Sequence, residues 1–353
     1  MLPNRRKSDA MVAVPVEDDD LEAAGSNPLT KQSMAAAAML PVVYLSTETE
    51  DKEWAVKFRR HVRHSVLFAC AAECLTTCFV PQWSHESTGI NLSATGLNLL
   101  GPFLEGCALT IQRATSQDDW KRACRYFRSV FLGVFTSYCF MVDHAGDLVA
   151  RNGVLGPLYI LSTMCYASIA FLVGQWAMSW AIETRRFPRH LPPIFYLWNL
   201  LSTFIGIVFL IALVGPRGFV RDPKDARFLG SIPINEAVEL LVGMLMSCLG
   251  IFASMYVGHG KYDGVVDWGA WRCNLASVLF LVLAYGLSYF VPSAVQNVVV
   301  AKFVSSFCGS LSCFSTAITS TMILVEDKKK PMALLSFGVS ALTALVFVPY
   351  LRK

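Results

Sequence analysis

The sequence predicts an all-α membrane protein of nine transmembrane helices, built as two four-helix inverted repeats joined by one linker helix. Three observations predict it. The 353-residue chain is 54% hydrophobic and only 16% charged, too apolar for an ordinary soluble surface. Its apolar residues fall in long blocks, such as 159–182 and 194–214, that are the length of a membrane span. Two stretches 176 residues apart also share one arrangement: NLLGPFLEG from Asn98 followed by VFLGVFTSYCFM from Val130, and NLASVLFLV from Asn274 followed by SFCGSLSCFSTA from Ser306. In both pairs the second stretch begins 32 residues after the asparagine, so the chain reads as a duplicated unit. Internal repeats of membrane proteins commonly line one substrate path.

Residues 1–64 differ in kind from the rest. They hold an acidic run at 18–20, an alanine run at 35–38, and then Lys57, Arg59, Arg60 and Arg63. This composition predicts a largely disordered cytoplasmic tail, with the first spanning helix serving as the targeting signal. Nine spans come after it, near 65–81, 92–112, 126–145, 155–181, 193–214, 235–257, 269–291, 298–324 and 332–350. The domains are then a first four-helix repeat at 65–182, the linker helix and its loops at 183–234, and a second repeat at 235–353. The third and eighth spans are the weakest by hydropathy, because each contains a run of Gly, Ser, Thr and Cys. Small residues such as Gly96, Gly101, Gly106, Ala276 and Ser277 suit close helix packing, with Gly101 expected between the halves.

A cytoplasmic N-terminus puts sixteen Lys and Arg on inner loops and eight outside, among them Lys302. The C-terminus is then extracellular. Four helices, one linker and four more make the two halves enter from opposite sides, which gives a pseudo-two-fold axis in the membrane plane. Eleven cysteines sit mainly inside apolar segments without metal-ligand spacing, as small buried hydrophobes do. The chain carries no nucleophile and base pair, phosphate loop or HExxH motif, so it reads as no enzyme. No nucleic-acid partner is expected.

The GAWRCN segment ending at Asn274 and the SFCGSLSCFST run from Ser306 to Thr316 resemble the Gly-Thr-x-x-x-Asn and GFxGGxTTFSTF signatures of the fluoride channels. These comprise the bacterial CrcB type and the eukaryotic fluoride exporters, in which two such four-helix units are fused through one extra helix. The resemblance covers roughly residues 65–350. It implies a fluoride-selective channel of the plasma membrane, a functional monomer with an internal pseudo-dimer. It sets Phe314 at the pore phenylalanine, Ser315 and Thr316 at the polar pair beside it, and Asn274 at the second-helix asparagine. In the first half the matching positions are Tyr138, Cys139, Phe140 and Asn98. Tyr138 stands where the family has phenylalanine, and Met141 and Ala317 replace the signature's second phenylalanine. The first-helix arginine is replaced by Glu73 and Ser254, and the third-helix carboxylate falls at His144 and Ser320. The resemblance also implies a structural sodium ion, with the backbone oxygens of Gly133, Phe135, Gly309 and Leu311 as ligands at helix breaks near Gly133–Val134 and Gly309–Ser310.

Fluoride is small and strongly hydrated, so its path must replace water with hydrogen-bond donors. Asn98, Thr136, Ser137, Asn274, Ser312, Ser315 and Thr316 supply such groups, and the ring edges of Tyr138 and Phe314 are electropositive. The same residue types also serve plain helix packing: Asn98 as an interhelical hydrogen bond, Phe314 as core. Glu105, mid-span, is a vestibule candidate or a partner for Arg113 two turns on. Asp143, His144 and Asp147 form a cluster at an outer helix end that suits either a metal or a wet surface. Two other classes share these features. An ion-coupled secondary transporter of a small anion needs an essential membrane carboxylate, for which Glu105 is the candidate; a non-transporting assembly subunit suits the eroded first-half signature.

Overall fold

A computed structural model describes residues 48–79, 91–184, 199–208, 236–258, 266–290 and 298–351. The tail up to residue 47, most of the predicted linker and the last two residues lie outside it. The described residues are helical throughout. In chain order the helices are α1 (Glu48–Phe79), α2 (Leu92–Ala114), α3 (118–135), α4 (Tyr138–Arg151), α5 (Leu155–Glu183), α6 (Asn199–Val208), α7 (Glu236–Val257), α8 (Trp268–Phe290), α9 (298–311), α10 (Phe314–Glu326) and α11 (Lys330–Phe347), which ends in a 3₁₀ turn.

Among the described residues, five stretches are long and apolar enough to cross a membrane: Leu155–Glu183, Val238–Val257, Trp268–Leu287, Val299–Glu326 and Lys330–Leu351. The eighth predicted span is therefore among them despite its polar run. The first three predicted spans are not, and the linker span at 193–214 lies largely outside the described residues. α1 contains Arg59, Arg60, Arg63 and Glu73, and α3 with α4 contains Arg125, Arg128, Asp143 and Asp147. α6 is apolar but short. Residues 48–64, expected in the disordered tail, form the first turns of α1.

The exterior differs from that of a soluble fold. Leu245, Leu249, Leu283, Leu334 and Leu342 are more than half exposed, whereas Asn98, Thr136, Asn274, Ser312 and Ser315 are buried. An apolar exterior around a largely apolar core that also holds these polar groups suits lipid as the solvent.

α3 and α9 are built alike. Each runs into a five-residue π segment, Phe127–Phe131 or Phe303–Phe307, then a four-residue α turn, Leu132–Phe135 or Cys308–Leu311. Both then break for two residues before α4 or α10 begins. Corresponding positions are 176 residues apart throughout. The wide π turns bring paired rings together, Phe127 on Phe131 at 4.9 Å and Phe303 on Phe307 at 4.7 Å between centroids. The correspondence extends to the start of the preceding helices. Asn91 Oδ1 accepts from Ala94 N and Asp267 Oδ1 accepts from Ala270 N, both at 3.0 Å, so α2 and α8 have matching N-caps.

Two crossings hold the halves together. Along α1 and α7 the contacts run from His61 Nε2 on Met255 Sδ (3.3 Å) through Cys70 on Cys248 to Glu73 on Ser247. Position rises on one helix as it falls on the other, so the pair is antiparallel. The two breaks cross in the same sense, with Ser137 against Ser312 and Phe140 against Gly309.

The most extensive helix pairing is α2 with α5, whereas α8 and α11 barely touch. Gly106 lies directly on the Phe171 carbonyl and Gly174 on the Phe103 carbonyl, so the two backbones are in contact. Gly101, expected between the halves, instead abuts Thr136 at the break of its own half, and Gly96 faces open space. A side chain at Gly174 meets rigid backbone. Gly174→Val is expected to cost about 1–3 kcal/mol from overpacking, read as a lowered melting temperature in detergent, while Gly96→Val leaves melting unchanged.

Candidate functional site

The two breaks meet at the centre of the molecule, and each is held by the asparagine of the helix before it. Ser137 N donates to Asn98 Oδ1 at 3.0 Å, and Asn98 Nδ2 donates back to Ser137 O at 3.1 Å. In an unbroken helix Ser137 N would bond to Gly133 O, four residues earlier. The asparagine diverts that proton, and the helix ends. Cys313 N likewise donates to Asn274 Oδ1 at 2.7 Å instead of to Gly309 O. The breaks therefore fall at Thr136–Ser137 and Ser312–Cys313, three residues beyond the expected glycines, which lie inside the four-residue turns.

The serines then stitch the breaks together. Ser312 Oγ donates to Gly309 O at 2.7 Å and accepts from Tyr138 N at 3.1 Å. Ser137 Oγ accepts from Phe140 N at 3.2 Å, capping α4, and lies 3.4 Å from Ser312 Oγ. Thr136 Oγ1 donates back to Leu132 O at 2.7 Å. Most polar groups expected to face an ion in the first half are thus occupied in holding the break. Asn98 uses its carboxamide on both sides. Tyr138 is 1% exposed and its hydroxyl donates to Ser340 O on α11, which makes it an anchor in the core.

The second half is different. The amide nitrogen of Asn274 carries no hydrogen bond among the described residues. Ser315 Oγ and Thr319 Oγ1, one turn apart on α10, are buried without a partner. Phe314 beside them is buried in the core, and Thr316 is half-buried. Of the groups beside the two breaks, those still free to donate lie on α8 and α10.

The carbonyls behind the breaks are also informative. A helix end orphans its last carbonyls. Those of Gly133 and Phe135 receive no donor among the described residues, and that of Leu311 meets only the Cys313 thiol at 3.7 Å. Gly309 O already accepts from Ser312 Oγ. Three of the four expected sodium ligands thus have open lone pairs of the hard oxygen type such an ion takes. No group of three or more His, Cys, Asp or Glu is arranged as a metal site among the described residues.

Of the flanking ionisable residues, Glu105 does not pair with Arg113. Its Oε1 accepts from Arg128 Nε at 2.8 Å, Arg128 Nη1 donates to Gln112 Oε1 at 2.8 Å, and Glu105 Oε2 is buried without a partner. Arg113 crosses to Glu326 at the end of α10 (3.0 Å), where Gln175 also donates. Glu73 lies outside any expected role and is the hub of a buried network. It accepts from Ser306, Ser247 and Thr77, with Lys302 Nζ 3.8 Å from it and 3.7 Å from Glu239. Lys302, counted as an outer-loop charge, is 8% exposed. Thr319 and Arg128 were the site residues least legible in the sequence, Thr319 being one hydroxyl in an apolar run and Arg128 one of several basic residues at 121–128. His144 Nε2 accepts from Asn91 N at 2.9 Å and Asp143 Oδ2 accepts from Tyr285 OH at 3.1 Å, so the outer cluster ties helix ends together.

Comparison with protein-family models, curated proteins and solved structures finds no match to this chain.

The two asparagines make different use of their carboxamides, which separates the effects of one substitution. Asn98→Asp loses the donor to Ser137 O and sets an oxygen against it, whereas Asn274→Asp keeps the acceptor for Cys313 N. Asn98→Asp is expected to destabilise by about 1–3 kcal/mol more, the cost of a buried group left unsatisfied, measured by thermal melting. Arg128→Ala strands Glu105 and is expected to cost about 3–5 kcal/mol, with Glu105→Gln in the same chain restoring part of it.

Proposed function

We propose that the chain is a fluoride-selective channel that lets cytoplasmic fluoride leave down its electrochemical gradient, conferring fluoride resistance at the plasma membrane. On this reading nine helices cross the bilayer as two inverted four-helix repeats around a linker that includes α6. The N-terminus is cytoplasmic, the C-terminus extracellular, and one chain is the working unit. The observation that carries the reading is the antiparallel crossing of two asparagine-clamped helix breaks, with unpaired donors at Ser315 and Thr319 beside it. The 176-residue correspondence of π segments, turns and breaks supports the duplication.

Hydrogen fluoride crosses membranes as a neutral molecule and dissociates at cytoplasmic pH, which traps the anion inside. A negative-inside potential then drives fluoride out through any selective path. Dehydration is the main barrier, and hydroxyl and amide donors lower it without binding the anion tightly. Ser315 and Thr319 have protons to give, as does the Asn274 amide, while Thr316 and the edge of Phe314 flank them. The carbonyls of Gly133, Phe135 and Leu311, with Gly309 sharing its oxygen, would hold a sodium ion, which would supply fixed positive charge at the crossing. Glu105 is neutralised by Arg128, which speaks against it as the coupling carboxylate of a transporter.

Reconstitution in liposomes with a fluoride electrode tests this. Rapid fluoride loss with little chloride loss is expected, slowed at least tenfold by Ser315→Ala with Thr319→Val, and also by Phe314→Ile. Flux that appears only when a proton or sodium gradient is imposed assigns the chain to coupled transport, and absence of flux under every gradient removes the transport reading.

A further inference from the structure

Cys70 on α1 and Cys248 on α7 face each other with their Sγ atoms 3.9 Å apart, at the midpoint of the antiparallel crossing between the two halves. Both thiols are free and only partly buried. We infer that this pair is a peroxide-reactive dithiol whose oxidation staples α1 to α7. Helix geometry already holds the two side chains on facing surfaces, between the His61–Met255 contact on one side and the Glu73–Ser247 bond on the other. A disulfide needs the sulfurs at about 2.05 Å, with Cβ atoms roughly 3.5–4.5 Å apart. The remaining approach of about 1.9 Å lies within reach of rotation about the two Cα–Cβ bonds with a small helix shift.

The chemistry balances with hydrogen peroxide, a small neutral oxidant that reaches partly buried thiols. One sulfur, as thiolate, attacks a peroxide oxygen; the O–O bond breaks, water leaves, and a sulfenic acid remains. The second sulfur displaces that oxygen as another water and forms the S–S bond. Two thiols and one peroxide give one disulfide and two waters, sulfur being oxidised and peroxide reduced. The staple joins residues 178 positions apart. It lies one turn from Glu73, whose bond to Ser306 reaches the π segment of α9, so oxidation fixes the crossing on which the second break rests.

The test uses the full chain, purified reduced, exposed to hydrogen peroxide, alkylated and digested for mass spectrometry, with the Cys70→Ser and Cys248→Ser variants alongside. A peptide linking Cys70 to Cys248 is expected, lost on treatment with dithiothreitol. The parent's melting temperature rises by several degrees on oxidation, and neither variant shows the rise. Cross-links only to other cysteines, such as Cys74, or sulfinic acid at either position without a link, overturn the proposal. An equal rise in melting temperature in the variants overturns it as well. The linked peptide in the parent decides the matter even where a variant fails to accumulate.

Discussion

A buried carboxamide that outcompetes a helix's own carbonyl for one amide proton organises this molecule. Asn98 and Asn274 each take the N–H that would have closed the next helical turn, and the chain breaks there. In an apolar surround a broken helix is costly, since every released carbonyl loses its donor and no water replaces it. The break persists because both ends are caught. Asn98 binds the amide and the carbonyl of one residue, and the hydroxyls of Ser137 and Ser312 accept from the first amides of α4. The crossing of the breaks arises from the same shortage, since a hydroxyl of the second half satisfies a backbone amide of the first.

The ion pairs obey a related constraint. Arg128 and Glu105, 12% and 3% exposed, lose most of their hydration and regain it only from each other and Gln112. Such pairs add little net stability, but removal of one member is expensive. Their value here is registry: Arg128 is the second residue of the π segment of α3, so its bond to α2 fixes where that wide turn lies. Lys302 does the same for α9 through Glu73 and Glu239. The two π segments are thus each held by a buried ion pair, though with different residues at different positions.

The helical character, the apolar exterior, the two asparagines and the polar runs they act on were legible, because hydropathy and spacing are properties of the residue order. The position of each break was not. Glycine marks where a helix is easily bent, but the bend falls where a side chain from another helix reaches an amide, and that depends on the packing of α2 on α3. Glu105 illustrates the same limit. Arg113 is its neighbour by helical arithmetic, yet Arg128, on the following helix, is nearer in space. Gly101 was read as an interface between halves and serves its own half, since a small residue announces a close approach without naming the partner. Three early spans fell short of spanning apolarity because they carry charges such as Glu73, Glu105 and Arg128 that are buried in ion pairs, a compensation that a hydropathy average counts as polarity.

The Glu73 network has a consequence for how the protein is made. Glu73 belongs to α1, which leaves the ribosome before every other described helix, while its cationic partner, Lys302, is synthesised 229 residues later. Ser247 and Ser306 also arrive long after α1. Through most of translation α1 therefore holds a carboxyl group without these partners, and burying such a group unpaired is costly. Packing of α1 against α7 and α9 is then the step that supplies these partners, and a chain truncated before Lys302 carries a defect far upstream of its missing residues.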